Sequence, residues 1–464
     1  MFSALLRHCR GRLRELKMRV RKYTQGFRLA VLASALACSS ASVEGNPPPT
    51  DPPAGNPLPP PPPPSPTVAE PTLLPAASGQ DPDKAAYAAL NVPALAAGAS
   101  YTDPVTGTTV FKVSSASVPQ ANSGATHEYF EGGPFISRPW GPNLDNYTIA
   151  VYMPFESATE LVDFNLTTRT FNRWRPAPAP GTEIRRAWSY RPDEPQFMYA
   201  LTNAVLRKYN TAGPGAPTEI TGNGFPKDLS ASAGQYGVML WLQSSLSGWF
   251  VMMPTDNSQL VAYNSLTGQV LVRQFAGLDE PKMEHDGRYV WVRHNTGNTI
   301  WDLNTNSVSS FGADGAIYKG HSGVARGYAF GQDGNQSVPR QWRVQLSSMD
   351  PTPVFQGSQG TSYEVNNSGN WVDQGAAGDV WVFHGANTGA DYPGGVYRYA
   401  VGIMRLDGSD YRLLCHSYSE GTDYYHDYTW AHASQDGKIV LFKSNMNGSG
   451  RMDLFLAVVP TRPR

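Results

Sequence analysis

A short phrase recurs along residues 160–459: a strand of mixed apolar and polar residues that runs into a turn of Asn, Thr, Gly or Ser. It reads LVDFNLTT at Leu161–Thr168, VLRKYNT at Val205–Thr211, QLVAYNSLTG at Gln259–Gly268 and TIWDLNTN at Thr299–Asn306. It continues as QWRVQLSSM at Gln341–Met349, IMRLDG at Ile403–Gly408 and MDLFLAVV at Met452–Val459. The spacing of roughly 40–60 residues is the period of a β-propeller blade, a small sheet that cannot bury its own faces and must stack on its neighbours. The expected fold class is therefore all-β, a β-propeller of seven blades. The blades fall at about 127–175, 183–222, 235–276, 281–312, 318–356, 362–416 and 424–459. The fourth is short and the sixth long, so six or eight blades are the alternatives.

Composition agrees with short strands and many tight turns. Only 16% of residues are charged, while 45 glycines, 39 prolines, 23 tyrosines and 11 tryptophans are present. The segment Thr108–Ser114 reads as one strand that closes the ring by pairing with the last blade, which removes two bare sheet edges. Glu284–Val292 (EHDGRYVWV) and Ser434–Phe442 (SQDGKIVLF) each place four continuous apolar residues after an Asp-Gly turn. Continuous apolarity means burial on both faces, so these runs read as innermost strands sandwiched between blades. Trp291, Trp301, Trp342, Trp371 and Trp381 are expected to fill the gaps between blades.

The first quarter of the chain has a different character. Residues 1–37 read as an export signal, with Met18 as an alternative start: a basic stretch, then the nine-residue, mostly apolar stretch Leu29–Ala37, then Cys38. Nine residues are about half of the roughly 20 that a spanning helix needs. Residues 38–80 are a linker with the proline tract Asn46–Pro66, which favours extended polyproline II and spans on the order of 60 Å at about 3.1 Å per residue. Residues 81–100 form a lead-in with a short helix, and 101–464 the propeller.

Formal net charge is −1, but residues 1–28 hold nine Lys/Arg and one Glu. Without them the remainder carries 28 basic and 37 acidic residues, a net of −9, which argues against nucleic acid as a partner. Cys415 is the one cysteine within the propeller, and it reads as a small buried hydrophobe.

Eight histidines lie in the propeller region. His127, His285, His321, His426 and His432 fall near blade entrances, where residues from distant parts of the chain converge on the axial channel. Imidazoles gathered in this way can bind a divalent metal. Arg185, Arg186 and Lys282 are the cations placed to hold a carboxylate. Tyr425, Tyr428 and Trp430 cluster beside His426 and can stack on sugar rings, or can line a blade gap. Four catalytic signatures are missing: the Gly-x-Ser-x-Gly elbow, His-Glu-x-x-His, a phosphate loop and a dinucleotide fingerprint.

Two resemblances follow from these residues. Ala35-Leu36-Ala37-Cys38 is similar to a bacterial lipoprotein box, which implies a lipid on Cys38; with Ser39 next, it implies the outer membrane or cell surface. Ordinary signal cleavage, leaving a periplasmic or secreted protein, is the alternative. His432–Val459 resembles the repeat of bacterial Tol-type propellers and of oligogalacturonate lyases, with Gln435 where that repeat usually has proline. In the lyases a channel histidine cluster holds a divalent metal and the substrate is a uronide chain. Their His-Pro-His motif is replaced here by Trp430-Ala431-His432, so the resemblance carries over to His432 alone. The expected function is a monomeric, membrane-anchored module at the cell envelope that binds a glycan or an envelope protein. The alternative is a metal-assisted polysaccharide lyase or hydrolase.

Overall fold

The computed structural model describes residues 82–125, 135–154, 156–179, 185–233, 239–254, 257–294, 297–310, 323–333 and 340–356. It also describes 365–366, 371–372, 380–385, 399–405, 411–420, 429 and 431–460. In sheets 5 and 6 the side chains at 324, 326–329, 343–350, 399–402 and 413–416 are described, and the others lie outside this description.

The described strands form seven sheets, each with antiparallel neighbours. Sheet 1 contains Asn146–Met153, Ala158–Asn165 and Thr170–Pro176, with Ile136 bridged to Ile149 on its inner edge. Sheet 2 begins with Arg185–Trp188, Phe197–Thr202 and Val205–Asn210. Sheet 3 runs Met239–Ser244, Trp249–Pro254, Gln259–Asn264 and Val270–Gln274. Sheet 4 runs Leu278–Met283, Tyr289–His294, Gly297–Asp302 and Ser307–Ser310. Sheet 5 spans Gly323–Ala325 to Asp350–Gln356, and sheet 6 Val365–Asn366 to Tyr411–His416. Sheet 7 holds His432–Ala433, Ile439–Ser444 and Asp453–Val458. All seven recurrences of the sequence phrase fall on the third strand from the axis, where the chain turns out to the rim.

The ring is closed by the N-terminal part. Thr109–Lys112 pairs with Asp453–Val458 through Val110–Ala457, Phe111–Leu456 and Lys112–Phe455, and Ser100–Thr102 adds a further outer strand. Strands from both ends of the described chain thus share one sheet, which covers the outer edge of Asp453–Val458. The hairpin also reaches back to sheet 6. Asp103 accepts from the amide of His416 at 2.9 Å, and Thr106 Oγ1 donates to the carbonyl of Leu414 at 2.8 Å. Burial pushes the Asp103 carboxyl up, but its hydrogen bonds and the charge of His416 outweigh this and hold it below its usual value. Cys415, between them, is fully buried, and burial raises its thiol well above the usual range.

The lead-in docks over this junction. The helix Lys84–Ala89 is capped by Asp83, whose carboxylate accepts from the amide of Ala86 at 2.9 Å. Its Tyr87 is buried and stacks on Tyr418 with ring centroids 3.8 Å apart. Lys112 is almost wholly buried beneath the lead-in. It donates to the carbonyls of Val92 (3.2 Å) and Pro93 (2.9 Å) and lies 3.3 Å from the Asp453 carboxylate.

The core is distributed around the ring. Leu161, Ala177, Trp188 and Met198 pack between sheets 1 and 2. Leu206, Leu242, Phe250 and Val261 pack between sheets 2 and 3, and Leu260, Met283, Val292 and Trp301 between sheets 3 and 4. Trp291 and Ala329 join sheets 4 and 5; Val401, Leu414 and Val440 join sheets 6 and 7; Phe111, Ile149 and Leu441 join sheets 7 and 1. Trp291 and Trp301 therefore do fill gaps between sheets.

One expectation is corrected. The apolar runs after the two Asp-Gly turns are Tyr289–His294 and Ile439–Ser444, the second strands of sheets 4 and 7 and not the innermost. A second strand has a partner along both edges and a neighbouring sheet on both faces, so it is the one that must be apolar throughout. The turn itself is held by glycine. Gly287 has φ +82°, and a Cβ there would stand 2.3 Å from Ser245 Oγ of sheet 3.

Candidate functional site: the axial layers

The innermost strands of consecutive sheets lie side by side: Arg185–Trp188 against Met239–Ser244, and the latter against Leu278–Met283. Equivalent positions on them follow from the hydrogen bond that closes each turn. The amide of Ser137 donates to Thr148 O, Ser189 to Phe197 O, Glu284 to Tyr289 O and Ser434 to Ile439 O, at 2.8–2.9 Å. The residues just after these donors are Arg138, Tyr190, His285 and Gln435. They occupy one place in four sheets.

These four make contact around the axis. The Arg138 guanidinium donates to Gln435 Oε1 and to the carbonyl of Tyr190, both at 2.8 Å. The Tyr190 ring lies 4.5 Å from the His285 imidazole, centroid to centroid. Residues 138, 190, 285 and 435 thus form a linked layer, and Tyr190, His285 and Gln435 are buried in it. Burial, reinforced by the positive charge of Arg326, lowers the His285 imidazole to a pKa of about 3. Beside this layer the Glu284 carboxyl is raised, first by burial and then by Asp286.

Three residues earlier along each inner strand is a second layer: Phe135, Ala187, Lys282 and His432. The Phe135 ring meets the His432 imidazole edge-on at 4.6 Å. Burial, with the Lys282 ammonium adding to it, lowers His432 to a pKa of about 3. Lys282 belongs to the inner strand of sheet 4 and His432 to that of sheet 7. Lys282 also faces Glu280, with Nζ 3.6 Å from Oε2. Arg185 opens the inner strand of sheet 2 and is half-buried. Arg186, on the opposite face, turns outward to sheet 1, donating to Pro178 O at 2.8 Å and Thr159 Oγ1 at 3.2 Å.

Of the five histidines named as channel ligands, the structure therefore describes two, His285 and His432, in different layers. His127, His321 and His426 lie outside the described residues, as do Tyr425, Tyr428, Trp430 and Cys38. Among the described residues no three His, Cys, Asp or Glu side chains stand together as a metal site needs. Sequence reasoning missed Arg138, Tyr190 and Gln435. They share a place relative to a turn but not a residue type; an alignment of Ser-Arg, Ser-Tyr, Glu-His and Ser-Gln before each turn is the signal that finds them.

Seven radial sheets, a closing strand and polar layers on the axis define a β-propeller. No protein-family model matches the chain, and no curated protein matches it in sequence. Among solved structures the chain is similar to an oligogalacturonate lyase from Vibrio parahaemolyticus, with 12% identity, 78% of this chain and 96% of that chain covered, and a TM-score of 0.51. It is also similar to an oligogalacturonate lyase in complex with manganese, with 9% identity, 85% and 99% coverage, and a TM-score of 0.50. At such identities the likeness shows the fold.

Proposed function

We propose that this protein is an exported β-propeller, tethered to the cell envelope through Cys38 and its proline-rich linker, that binds an acidic glycan in its axial channel. The observation that carries the reading is the equivalent placement of Lys282 and His432 on the inner strands of sheets 4 and 7, with the Lys282 charge helping burial to keep the His432 imidazole neutral. A cation there offers a carboxylate a charge-assisted hydrogen bond, and a neutral imidazole offers one donor or acceptor to a hydroxyl. The linked layer of Arg138, Tyr190, His285 and Gln435 lies three residues further along the same inner strands. The similar lyases act, by name, on oligogalacturonate, a glycan of this charge, which supports the ligand class.

The test is calorimetric titration of the mature protein with oligogalacturonates, in EDTA and then with manganese. Lys282→Ala is expected to weaken binding about tenfold, or about 1.4 kcal/mol. Equal binding by the variant and the parent would sink the reading. Ultraviolet absorbance from an unsaturated uronide product, appearing only with manganese, would replace binding with lyase activity. Mass spectrometry of the mature N-terminus tests the lipid on Cys38.

A further inference from the structure

A groove of about 340 Å³ lies on the outer wall, away from the axis. It is lined by Ala97 and Gly98 of the lead-in, Val113 and Val118 after the closing strand, and Arg169, Thr170, Phe171 and Trp174 of sheet 1. Its size is near the lower end of small-ligand pockets, about 300–1,000 Å³.

The aromatic floor exists because the outer strand of sheet 1 is bulged. Leu161 pairs with Arg175 and Asp163 with Asn172, so Arg173 and Trp174 together stand opposite the single residue Val162. In a regular strand Phe171 and Trp174, three residues apart, would point to opposite faces. The bulge, with Arg173 at φ +53°, brings both onto the face that packs on the core between sheets 7 and 1. Arg173 is sent the other way, to the Asp163 carboxylate and the carbonyl of Ala212. Phe171 is braced by Phe164, ring centroids 4.8 Å apart, and Trp174 is left half-exposed.

The rim carries charge. Arg169 is exposed and takes a left-handed conformation, φ +56°, which is costly for a residue with a Cβ. Its guanidinium has no carboxylate or hydrogen-bond acceptor among the described residues. The Trp174 indole N–H likewise has no acceptor among them. Two aromatic rings, a free indole donor and an unpaired cation thus surround one groove. An aromatic face suits the C–H face of a pyranose ring, and a guanidinium suits a carboxylate bidentately.

We infer that this groove is a second glycan site, taking a sugar ring that bears an acidic group, with Phe171 and Trp174 as its platform and Arg169 as its anion contact. The site is independent of the axial channel and stands whether or not the channel binds a ligand.

Affinity electrophoresis tests it, in native gels that contain polygalacturonate, alginate, hyaluronan or neutral dextran. The protein is expected to be retarded by at least one acidic polysaccharide and less by dextran. Arg169→Glu and Trp174→Ala are each expected to raise the apparent Kd about tenfold or more in the Lys282→Ala background, which removes the channel contact. Arg169 is exposed, so its variant keeps the fold even if Trp174→Ala loosens it. The inference is overturned if no acidic polysaccharide retards the protein. It is also overturned if Arg169→Glu leaves the retardation unchanged, and loss of all retardation in Lys282→Ala alone would then assign binding to the channel.

Discussion

Lowering the pH should loosen the ring through His285, and replacing that imidazole should remove the effect. The side chain is 3% exposed, packed against Tyr190, and lowered by burial from 6.5 to a pKa of about 3. Between those values the unfolded chain binds a proton that the folded protein refuses. Stability therefore rises with pH across this window, is complete above about pH 6.5, and is lost as the pH falls toward 3. From pH 7 to pH 5 the loss from this one group works out at about 2 kcal/mol, and it approaches about 5 kcal/mol at the bottom of the window. His285→Phe keeps an aromatic ring against Tyr190 and cannot take a proton. Urea unfolding of parent and variant at pH 7 and pH 5, in EDTA, isolates the term as a difference of differences. The variant should be less acid-sensitive by about 2 kcal/mol over that interval. His432, lowered to about 3 in the same way, remains in both proteins and cancels. Equal acid sensitivity in the two would refute the reasoning, because it would mean the imidazole is solvated or charged in the folded ring.

Two further substitutions probe how the blades are held. Gly287→Ala should cost about 3 kcal/mol or more in urea unfolding, since the left-handed conformation costs about 1–2 kcal/mol and the new methyl meets Ser245. Gly268→Ala, with φ +75° but open space around it, should show the conformational cost alone. Lys112→Met removes one member of the buried pair with Asp453. A loss at the low end for such pairs, about 3 kcal/mol, is expected because Arg451 (2.9 Å) and Ser114 (3.0 Å) still serve the carboxylate. The lead-in loses its donor to Val92 and Pro93, so the amide of Tyr87 should exchange its hydrogen faster than in the parent.

The third strands were legible in the sequence because each ends the same way. Asn165, Asn264 and Asp302 all cap the following turn with their own side chains, as in Asn264 accepting from the amides of Leu266 (2.9 Å) and Thr267 (3.0 Å). That local chemistry repeats because the turn repeats. The closing strand was legible for a related reason: Thr109–Lys112 is β-prone and stands between turns, far from any other partner in sequence. The innermost strands were not. Arg185–Trp188 and Leu278–Met283 share no residue type at any position, since one edge of each faces the axis and holds whatever that place requires. The apolar second strands, fixed by burial on every side, stand out in their stead and read in sequence as the inner ones.

The same contrast bears on where function can sit in this ring. Between the sheets, packing leaves little choice: Trp301, Val290 and Leu260 are wholly buried, and a change of one methylene there is felt as strain or a void. At the axis and on the outer wall the sheets constrain position without dictating residue. His285 and Gln435 occupy the same place after the same kind of turn, yet one is an uncharged imidazole against a tyrosine and the other an amide that accepts from Arg138. The bulge at Arg173 and Trp174 is the corresponding freedom at the rim, where an outer strand has one edge without a neighbour and can take an extra residue. A repeat of this kind thus fixes the scaffold through its second and third strands, and leaves the first and fourth to vary with the ligand. For that reason the Lys282 and Arg169 substitutions should alter binding while leaving the unfolding free energy within about 0.5–1 kcal/mol of the parent, whereas Gly287→Ala should do the reverse.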